Sequence, residues 1–310
     1  MIKKAVITAA GKGTRQYPAT NAVQKELFPL VDLDGIAKPV IQIIAEQALR
    51  AGIEDLCIVV NPGESGHFRR HFRGLTGAER PAFEKPGKEW GIRQSGLLED
   101  LGRRIRYVEQ AEQHGFGHAV WCAREFAGND PFLLLLGDHV YISGEDRSCV
   151  AQAIGGFERI GKTLLPVVRT PADRLHLFGT LAGDPSEEAP GLYRVKEILE
   201  KPDPETARKR LVTPGLPEDL FFTLFGMYAL SPGLMDILER HVRDNVRSAG
   251  EIQLTPALGE LAGTEGSFAL EIDGVRLDMG TPLGYIETQL TLAQKGVFSR
   301  DVAALTDRPL

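Results

Sequence analysis

Residues Phe132–Leu136 are five apolar residues in a row, bounded by Pro131 and Gly137. Such a short, continuously apolar segment is typical of a strand buried on both faces, as at the centre of a parallel sheet covered by helices. Other segments of the first half alternate between strand and helix patterns: strands at 4–8, 56–60 and 105–108, and helices at 39–50 and 118–126. This alternation predicts an α/β fold with a doubly wound, mostly parallel, Rossmann-like sheet flanked by helices.

The second half of the chain has a less regular pattern. Strands are predicted at 164–168, 193–199 and 221–230, and helices at 232–241, 254–261 and 283–294. This predicts a smaller, mixed β/helical C-terminal part. Since no linker or repeat is visible, we expect one domain over residues 1–298, with halves of about 1–145 and 146–298. Residues 74–96 are predicted to be a surface excursion, and 299–310 a polar tail.

Composition restricts the classes of function. The formal net charge of −6 argues against a general nucleic-acid-binding protein. No apolar segment approaches the ~20 residues of a membrane span, and the first residues lack the pattern of a signal peptide. We therefore expect a cytoplasmic protein that associates with neither nucleic acid nor membrane. His67 and His71 are four residues apart but lack a carboxylate partner, so no zinc site is expected.

The segment after the first strand is rich in glycine and basic residues: Ala9-Ala10-Gly11-Lys12-Gly13-Thr14-Arg15. Glycines let backbone N–H groups approach a phosphate, and an arginine binds phosphate through two hydrogen bonds. The spacing fits neither the P-loop nor the dinucleotide fingerprint, which would need a glycine at Gln16. An ordinary glycine-rich turn is the alternative interpretation.

Asp138 follows the apolar strand Phe132–Leu136 just as the glycine loop follows the first strand. In doubly wound sheets, ligands bind beyond the carboxyl ends of the strands, so these two segments are expected in one site. A carboxylate there is suited to Mg²⁺ bridging phosphates. The alternative is an aspartate that begins a turn.

Several segments, in this order and spacing, carry a resemblance that spans about residues 3–294. They are the glycine loop, Pro18-Ala19-Thr20, Lys25-Glu26-Leu27-Phe28-Pro29, Gln110, Gly115-Phe116-Gly117-His118-Ala119, Glu200-Lys201-Pro202 and Gly250-Glu251-Ile252-Gln253-Leu254-Thr255. With them the chain resembles the sugar-1-phosphate nucleotidylyltransferases, and among these most closely the bacterial uridylyltransferases that act on glucose-1-phosphate.

The resemblance implies a Mg²⁺-dependent reaction in which glucose-1-phosphate attacks the α-phosphorus of UTP, giving UDP-glucose and pyrophosphate. The nucleophile is already an anion, so the site needs cations and metal-binding carboxylates rather than a general base. The alternatives are dTTP or another nucleoside triphosphate, another hexose-1-phosphate, or a non-catalytic sugar-nucleotide-binding regulator on the same fold. By analogy we also expect a homo-oligomer, either a dimer or a tetramer.

The resemblance also implies residue roles. Catalytic cations would be Arg15, Lys25 and Lys201. Nucleotide-binding residues would be Ala10, Gly11, Gly13, Thr14, Glu26, Gln110 and Gly117. Sugar-phosphate-binding residues would be His118, Gly179, Glu200 and Lys201, and the metal ligands would be Asp138 and Asp278. The alternatives are a surface position for either lysine, a surface Glu200–Lys201 pair, and a turn role for Asp278 before Gly280.

The chain departs from the family pattern at four positions where a cation is common: Asn21, Glu109, Met227 and Pro282. The proposed catalytic cations and metal carboxylates remain. The departures therefore leave the reaction type in place, while the nucleobase and the hexose stay open.

Overall fold

The computed structural model of the chain describes residues 1–187 and 189–306. Its strands are β1 (Lys4–Ala9), β2 (Pro29–Val31), β3 (Ala37–Pro39), β4 (Asp55–Val60), β5 (Ile105–Glu109), β6 (Phe132–Leu136), β7 (His139–Ser143), β8 (Leu164–Pro171), β9 (Gly179–Pro185), β10 (Leu192–Glu200), β11 (Leu220–Leu224), β12 (Met227–Leu230), β13 (Phe268–Glu271) and β14 (Gly274–Asp278).

Helices surround these strands. They are α1 (Ala19–Ala22), α2 (Val40–Arg50), α3 (Ser65–Phe72), α4 (Glu89–Arg104), α5 (Phe116–Cys122), α6 (Arg124–Ala127), α7 (Cys149–Ile160), α8 (Pro204–Arg210), α9 (Gly233–Arg243), α10 (Leu254–Thr264), α11 (Pro282–Lys295) and α12 (Ser299–Thr306). Short 3₁₀ turns lie at Thr14–Gln16, Lys25–Leu27, Arg80–Ala82 and Ala172–Leu177.

Ten strands form one mixed sheet in the order β11-β9-β10-β13-β8-β12-β6-β1-β4-β5. The strands β6, β1, β4 and β5 are all parallel and come from the first half of the chain. Most pairings in the other half are antiparallel, with β13 and β8 parallel. The predicted fold class, with its mixed C-terminal part, is confirmed.

The inner strands β6, β1 and β4 of the parallel part are buried on both faces, which explains their mostly apolar sequences. Along β6, Leu133 and Leu135 belong to the core cluster on one face, and Phe132 and Leu134 to the cluster on the other. All four are inaccessible to solvent. Burying each such side chain contributes about 1.5–3 kcal/mol, so this strand alone is a large part of the core. It also holds the residues that follow it in fixed positions.

One predicted strand is two strands in the structure. Residues 221–230 contain β11 and β12, which separate at Phe225 and Gly226. Gly226 has φ of +79°, a left-handed conformation that ends a strand and favours glycine. After this turn, β12 lies between β6 and β8 and pairs with both, whereas β11 pairs with β8 and β9. The apolar residues on both sides of the turn hide this change of partner in the sequence.

Two segments are more ordered than the sequence indicates. The predicted excursion at 74–96 contains the start of the 16-residue helix α4. The predicted tail contains α12, and its residues 307–310 lie outside the described residues. The single-domain assignment stays a prediction. Within residues 1–187 and 189–306, no helix combines the length and apolarity needed to cross a membrane.

Candidate active site

The glycine loop leaves the carboxyl end of β1 and forms a tight turn that is open to solvent. Gly13 has φ of +63°, and a Cβ atom there would lie 2.7 Å from Thr20 Cγ2, so only glycine fits. Ala10 is buried, whereas Gly11, Thr14 and Arg15 are exposed. A Cβ atom at Gly11 would lie 3.4 Å from Lys25 Nζ. The loop and Lys25 therefore border the same space.

The loop is tied to the C-terminal part of the chain. The buried Gln16 donates from Nε2 to the carbonyl oxygen of Met279 at 2.8 Å. Beside it, a Cβ atom at Gly280 would lie 2.6 Å from Arg15 Nη2, 2.9 Å from Asp278 Oδ1 and 3.0 Å from Asp138 Oδ2. The side chains of Arg15, Asp138 and Asp278 thus border the space that a side chain on Gly280 would occupy.

A separate two-stranded sheet explains why the two aspartates converge. Strand β14 pairs antiparallel with β7, which places Asp278 opposite His139, and Met279 N donates to Asp138 O at 3.1 Å. One ligand atom from each of Asp138, His139 and Asp278 lies within 4.8 Å of the others. The structure therefore brings the predicted pair of metal carboxylates together.

Lys25 is the counterion of Asp138. Its Nζ lies 2.5 Å from Asp138 Oδ2, with both side chains almost buried, at 13% and 11% exposed. Burial opposes ionisation of Asp138, but a hydrogen bond with His139 and the charge of Lys25 hold its pKa well below the usual range. Burial likewise opposes the charge of Lys25, but Asp138 and Glu26 raise its pKa above the ordinary value. Both groups stay ionised.

Glu26 lies beside this pair with an uncommitted oxygen. Its Oε1 is 3.7 Å from Lys25 Nζ, and its buried Oε2 has no hydrogen-bond partner within the described part of the chain. Burial raises the pKa of Glu26 to about 8 against the opposing charge of Lys25. Buried polar atoms are normally paired, so this oxygen is available to a ligand.

Two of the residues predicted to read the nucleobase, Gln110 and Gly117, lie in the segment that follows β5. Gln110 Nε2 donates to Gly115 O at 3.1 Å and lies 3.1 Å from His118 Nδ1, which accepts because the amide donates. Gly117 N donates to Ile252 O at 2.8 Å, and a Cβ atom at Gly117 would lie 2.8 Å from Gln253 O. Glycine is therefore needed where these backbones meet.

Three residues predicted to bind the sugar phosphate form a second group. Gly179 pairs with Glu200 across β9 and β10, and Thr255 Oγ1 donates to Glu200 Oε2 at 2.6 Å. Lys201 has φ of +46°, which is uncommon for lysine, and its Nζ lies 3.5 Å from Glu200 Oε1. Its side chain is 56% exposed.

Two predicted residues lie apart from the groups to which the sequence assigns them. The contacts of His118 are with Gln110 and with the rings of His114 and Trp121, at 5.0 and 5.4 Å, rather than with Glu200. Within residues 1–187 and 189–306, no hydrogen bond or ion pair joins Lys201 to Asp138, and the exposed Lys201 side chain lies beside Glu200 instead. Their roles stay predictions.

The family model for nucleotidyl transferases matches residues 4–295. This chain is a member of that family. It is 36% identical to UTP–glucose-1-phosphate uridylyltransferase 1 of Staphylococcus saprophyticus over 294 residues, which cover 95% of this chain and 93% of the relative. It is also 36% identical to the UTP–glucose-1-phosphate uridylyltransferase of Bacillus subtilis over 302 residues, covering 97% and 94%.

Solved structures are similar to this nucleotidyl transferase over almost its whole length. A UDP-glucose pyrophosphorylase complexed with UDP-glucose has a TM-score of 0.74 and 28% identity, covering 95% of this chain and 100% of that chain. An apo UDP-glucose pyrophosphorylase has a TM-score of 0.77 and 28% identity, covering 95% and 99%. These similarities confirm the resemblance found in the sequence.

Nucleotidyl transferases generally use a divalent metal, and the donors of this chain fit one. Asp138 and Asp278 offer carboxylate oxygens, the ligands that hard cations prefer. A small number of carboxylates is typical of sites where substrate phosphates and water complete the coordination. The residues that would hold the ion are thus the two that the sequence predicts.

Sequence reasoning missed four residues of this nucleotidyl transferase that shape the site. His139 orients Asp138 through a 3.0 Å hydrogen bond, and its position next to Asp138 was the available signal. Gly280 leaves room for three charged groups, and Gln16 ties the glycine loop to Met279. Thr255 holds Glu200, although the sequence shows no link between them.

Proposed function

We propose that the chain is a UTP–glucose-1-phosphate uridylyltransferase, which joins UTP and glucose-1-phosphate to give UDP-glucose and pyrophosphate with Mg²⁺ as cofactor. The observation that carries this proposal is the meeting of Arg15, Asp138 and Asp278 around Gly280, beside a glycine loop and Lys25. Relatives of that name support the choice of substrates.

The chemistry needs charge neutralisation and alignment. A phosphate oxygen of the sugar phosphate attacks the α-phosphorus of UTP, and the bond from that phosphorus to the oxygen between the α- and β-phosphorus breaks, so that this oxygen leaves with pyrophosphate. Mg²⁺ held by Asp138 and Asp278 would supply positive charge to the phosphate oxygens. The exposed guanidinium of Arg15 and the backbone N–H groups of the glycine loop bind the triphosphate. Lys25 adds a further positive charge at the Asp138 side.

The second group of residues would position the sugar phosphate. Thr255 fixes Glu200, whose carboxylate accepts hydrogen bonds from sugar hydroxyls. Gly179 stands opposite Glu200, where a Cβ atom would lie 2.7 Å from Leu224 Cδ1 and 3.3 Å from Glu200 Oε2. Lys201, with its exposed ammonium, would bind the attacking phosphate.

The nucleobase would form hydrogen bonds with buried polar side chains. Gln110 is buried and offers an amide oxygen beyond the two contacts of its amide nitrogen. Glu26 has an unpaired buried oxygen, and its raised pKa of about 8 keeps a proton available near neutral pH. The Gln110 amide and the protonated Glu26 carboxyl each offer a donor and an acceptor, the two kinds of group that the edge of uracil requires.

A pyrophosphate-release assay tests the proposal. The protein is incubated with glucose-1-phosphate, Mg²⁺ and, in turn, UTP, dTTP, CTP, ATP and GTP, with and without a chelator. We expect metal-dependent release with UTP and loss of turnover in Asp138→Ala with the fold retained. A preference for dTTP would show that dTTP, and not UTP, is the nucleotide substrate. The absence of pyrophosphate release with every triphosphate and hexose phosphate would reject the transferase activity.

We further propose that the protein self-associates and acts in the cytoplasm. Leu283, Ile286 and Leu290 lie on one face of α11 and are exposed apolar residues, which fits burial against a second copy. Light scattering coupled to size-exclusion chromatography would measure the mass. A monomer at micromolar concentration would reject the self-association.

A further inference from the structure

A second cavity lies outside the proposed active site, between α3, α4 and the segment that joins them. Its volume is ≈440 Å³, within the range of small-molecule sites. It is lined by residues of α3, of α4 and of the joining segment, and also by Leu27 and Pro39. We call this cavity the α3–α4 pocket. Nothing in the proposed reaction uses it.

The α3–α4 pocket carries positive charge. Arg70 lines it and has no hydrogen-bond or ion-pair partner within residues 1–187 and 189–306. Arg73 also lines it, and its ion pair with Glu79 is long, at 3.7 Å. Oε2 of Glu79 is already used by the backbone N–H and the hydroxyl of Thr76, at 2.8 and 2.7 Å. Glu79 also lines the pocket, so two guanidinium groups and one carboxylate leave an excess of one positive charge, which suits phosphate or carboxylate.

An aromatic wall stands beside these arginines. The Phe83 ring packs so closely on α4 that a Cβ atom at Gly91 would lie 2.1 Å from Phe83 Cδ1. Trp90 meets Phe83 edge to face, with ring centroids 5.8 Å apart, yet it is 44% exposed. A fixed ring next to a half-exposed indole gives a planar ligand a surface to stack on, worth ~0.5–1.5 kcal/mol per ring pair.

His71, one of two histidines that line the α3–α4 pocket, is neutral near pH 7. The Gln42 amide nitrogen donates to Glu46 Oε1 at 2.8 Å and Gln94 Oε1 at 3.2 Å, so Gln42 Oε1 accepts from His71 Nε2 at 3.0 Å. Burial lowers the pKa of His71 to about 4. His71 therefore adds no charge to the α3–α4 pocket near neutral pH, and the positive charge used in this proposal is that of Arg70 and Arg73.

We propose that the α3–α4 pocket binds a small anion that carries a planar aromatic or heteroaromatic ring, and that its occupant acts on the active site through Leu27. Leu27 lines the pocket and ends the 3₁₀ turn Lys25–Leu27. The first residue of that turn holds Asp138. A shift of Leu27 on binding would therefore occur within the same 3₁₀ turn as Lys25, which contacts Asp138.

Tryptophan fluorescence tests the binding without using turnover, so it stands even if the proposed reaction fails. The chain has two tryptophans, and Trp121→Phe leaves Trp90 as the reporter. The probe is phenyl phosphate, compared with inorganic phosphate and phenol. We expect saturable quenching by phenyl phosphate, and we expect inorganic phosphate and phenol each to bind about tenfold more weakly. No quenching at millimolar phenyl phosphate would overturn the site.

Variants locate the bound probe. Arg70→Gln is expected to weaken phenyl phosphate about tenfold, whereas Arg93→Gln, an exposed arginine of α4 outside the pocket, should not change the affinity. Lys25→Met should retain the binding. Trp90→Leu, measured by calorimetry, provides a second variant should Arg70→Gln lose its fold. Binding that is lost in Lys25→Met but kept in Arg70→Gln would place the probe in the active site and overturn the proposal.

Initial rates test the coupling. With UTP below saturation, phenyl phosphate is expected to change the apparent KM for UTP about fivefold, within the usual range for coupled sites. Arg70→Gln should remove this effect and keep the basal rate. Binding without any change in rate, or an effect that persists in Arg70→Gln, would overturn the coupling.

Discussion

Gly280→Ala tests whether the arrangement around that residue makes the active site. Gly280 does not have a positive φ, so alanine can adopt its backbone conformation. The new methyl would lie 2.6 Å from Arg15 Nη2, 2.9 Å from Asp278 Oδ1 and 3.0 Å from Asp138 Oδ2. Each of these atoms belongs to the end of a side chain, which can move while the backbone stays in place.

The required movements give the expected magnitude. Ordinary contact begins at 3.4 Å, so Arg15 must retreat by about 0.8 Å, Asp278 by about 0.5 Å and Asp138 by about 0.4 Å. A metal site tolerates changes of only ~0.2 Å, and misplacing reacting groups by ~1 Å costs about a hundredfold in rate. We therefore expect kcat/KM to fall about 10–100-fold, or about 1.4–2.8 kcal/mol of transition-state stabilisation.

Folding stability should change much less, because the clash is with the ends of side chains and not with backbone atoms. We expect a melting temperature within about 3 °C of the wild type, corresponding to ~1 kcal/mol. Gly259→Ala in α10 is the matched control, since a Cβ atom there meets nothing within 4 Å. Pyrophosphate release and Mg²⁺ titration, with calorimetric melting, provide the measurements. Wild-type kcat/KM in Gly280→Ala would refute the idea that these three groups act together.

Three further variants test other parts of the structure. His71 has a pKa of about 4 in the fold against an ordinary 6.5, so the stability it contributes is present above 6.5 and is lost as the pH falls toward 4. Urea unfolding at pH 8 and at pH 5 measures the free energy of unfolding at each pH. Between pH 8 and pH 5 this free energy should fall by about 2 kcal/mol less in His71→Gln than in the wild type, and an equal fall in both proteins would contradict the lowered pKa of His71. Gly117→Ala should destabilise by about 1–3 kcal/mol in calorimetry and raise the KM for UTP, since its methyl would meet backbone atoms; an unchanged melting temperature would contradict the clash. Thr255→Val should raise the KM for glucose-1-phosphate about 5–10-fold and leave that for UTP unchanged, because Glu200 loses a hydrogen bond; identical constants would show that Thr255 does not position it.

The parallel half of the sheet could be predicted because its signal is local. The strands β1, β4 and β6 are short, mostly apolar segments, as is typical of strands covered on both faces. The edge strand β5 is less apolar and only partly buried. Helix α4 could not be predicted so readily. No side chain caps its first turn, and its buried residues include Gly91 and Ser95, which give little apolar periodicity.

The candidate site divides in the same way. The nearness of the glycine loop and Asp138 follows from the rule that ligands bind at the carboxyl ends of parallel strands. The nearness of Asp278 does not, because it depends on the pairing of β14 with β7, and strand periodicity does not say which strands pair. The sequence reached Asp278 only through its resemblance to a family.

The pairing of β14 with β7 has a consequence during synthesis of the protein. Asp138 and Asp278 are 140 residues apart, so a ribosome adding ~5–20 residues per second makes the second aspartate ~7–28 s after the first. Throughout that interval the emerging polypeptide has one of the two carboxylates that Mg²⁺ would share. The complete metal site would therefore exist only when the chain is almost fully synthesised, after the parallel strands of the first half have had time to form their part of the sheet.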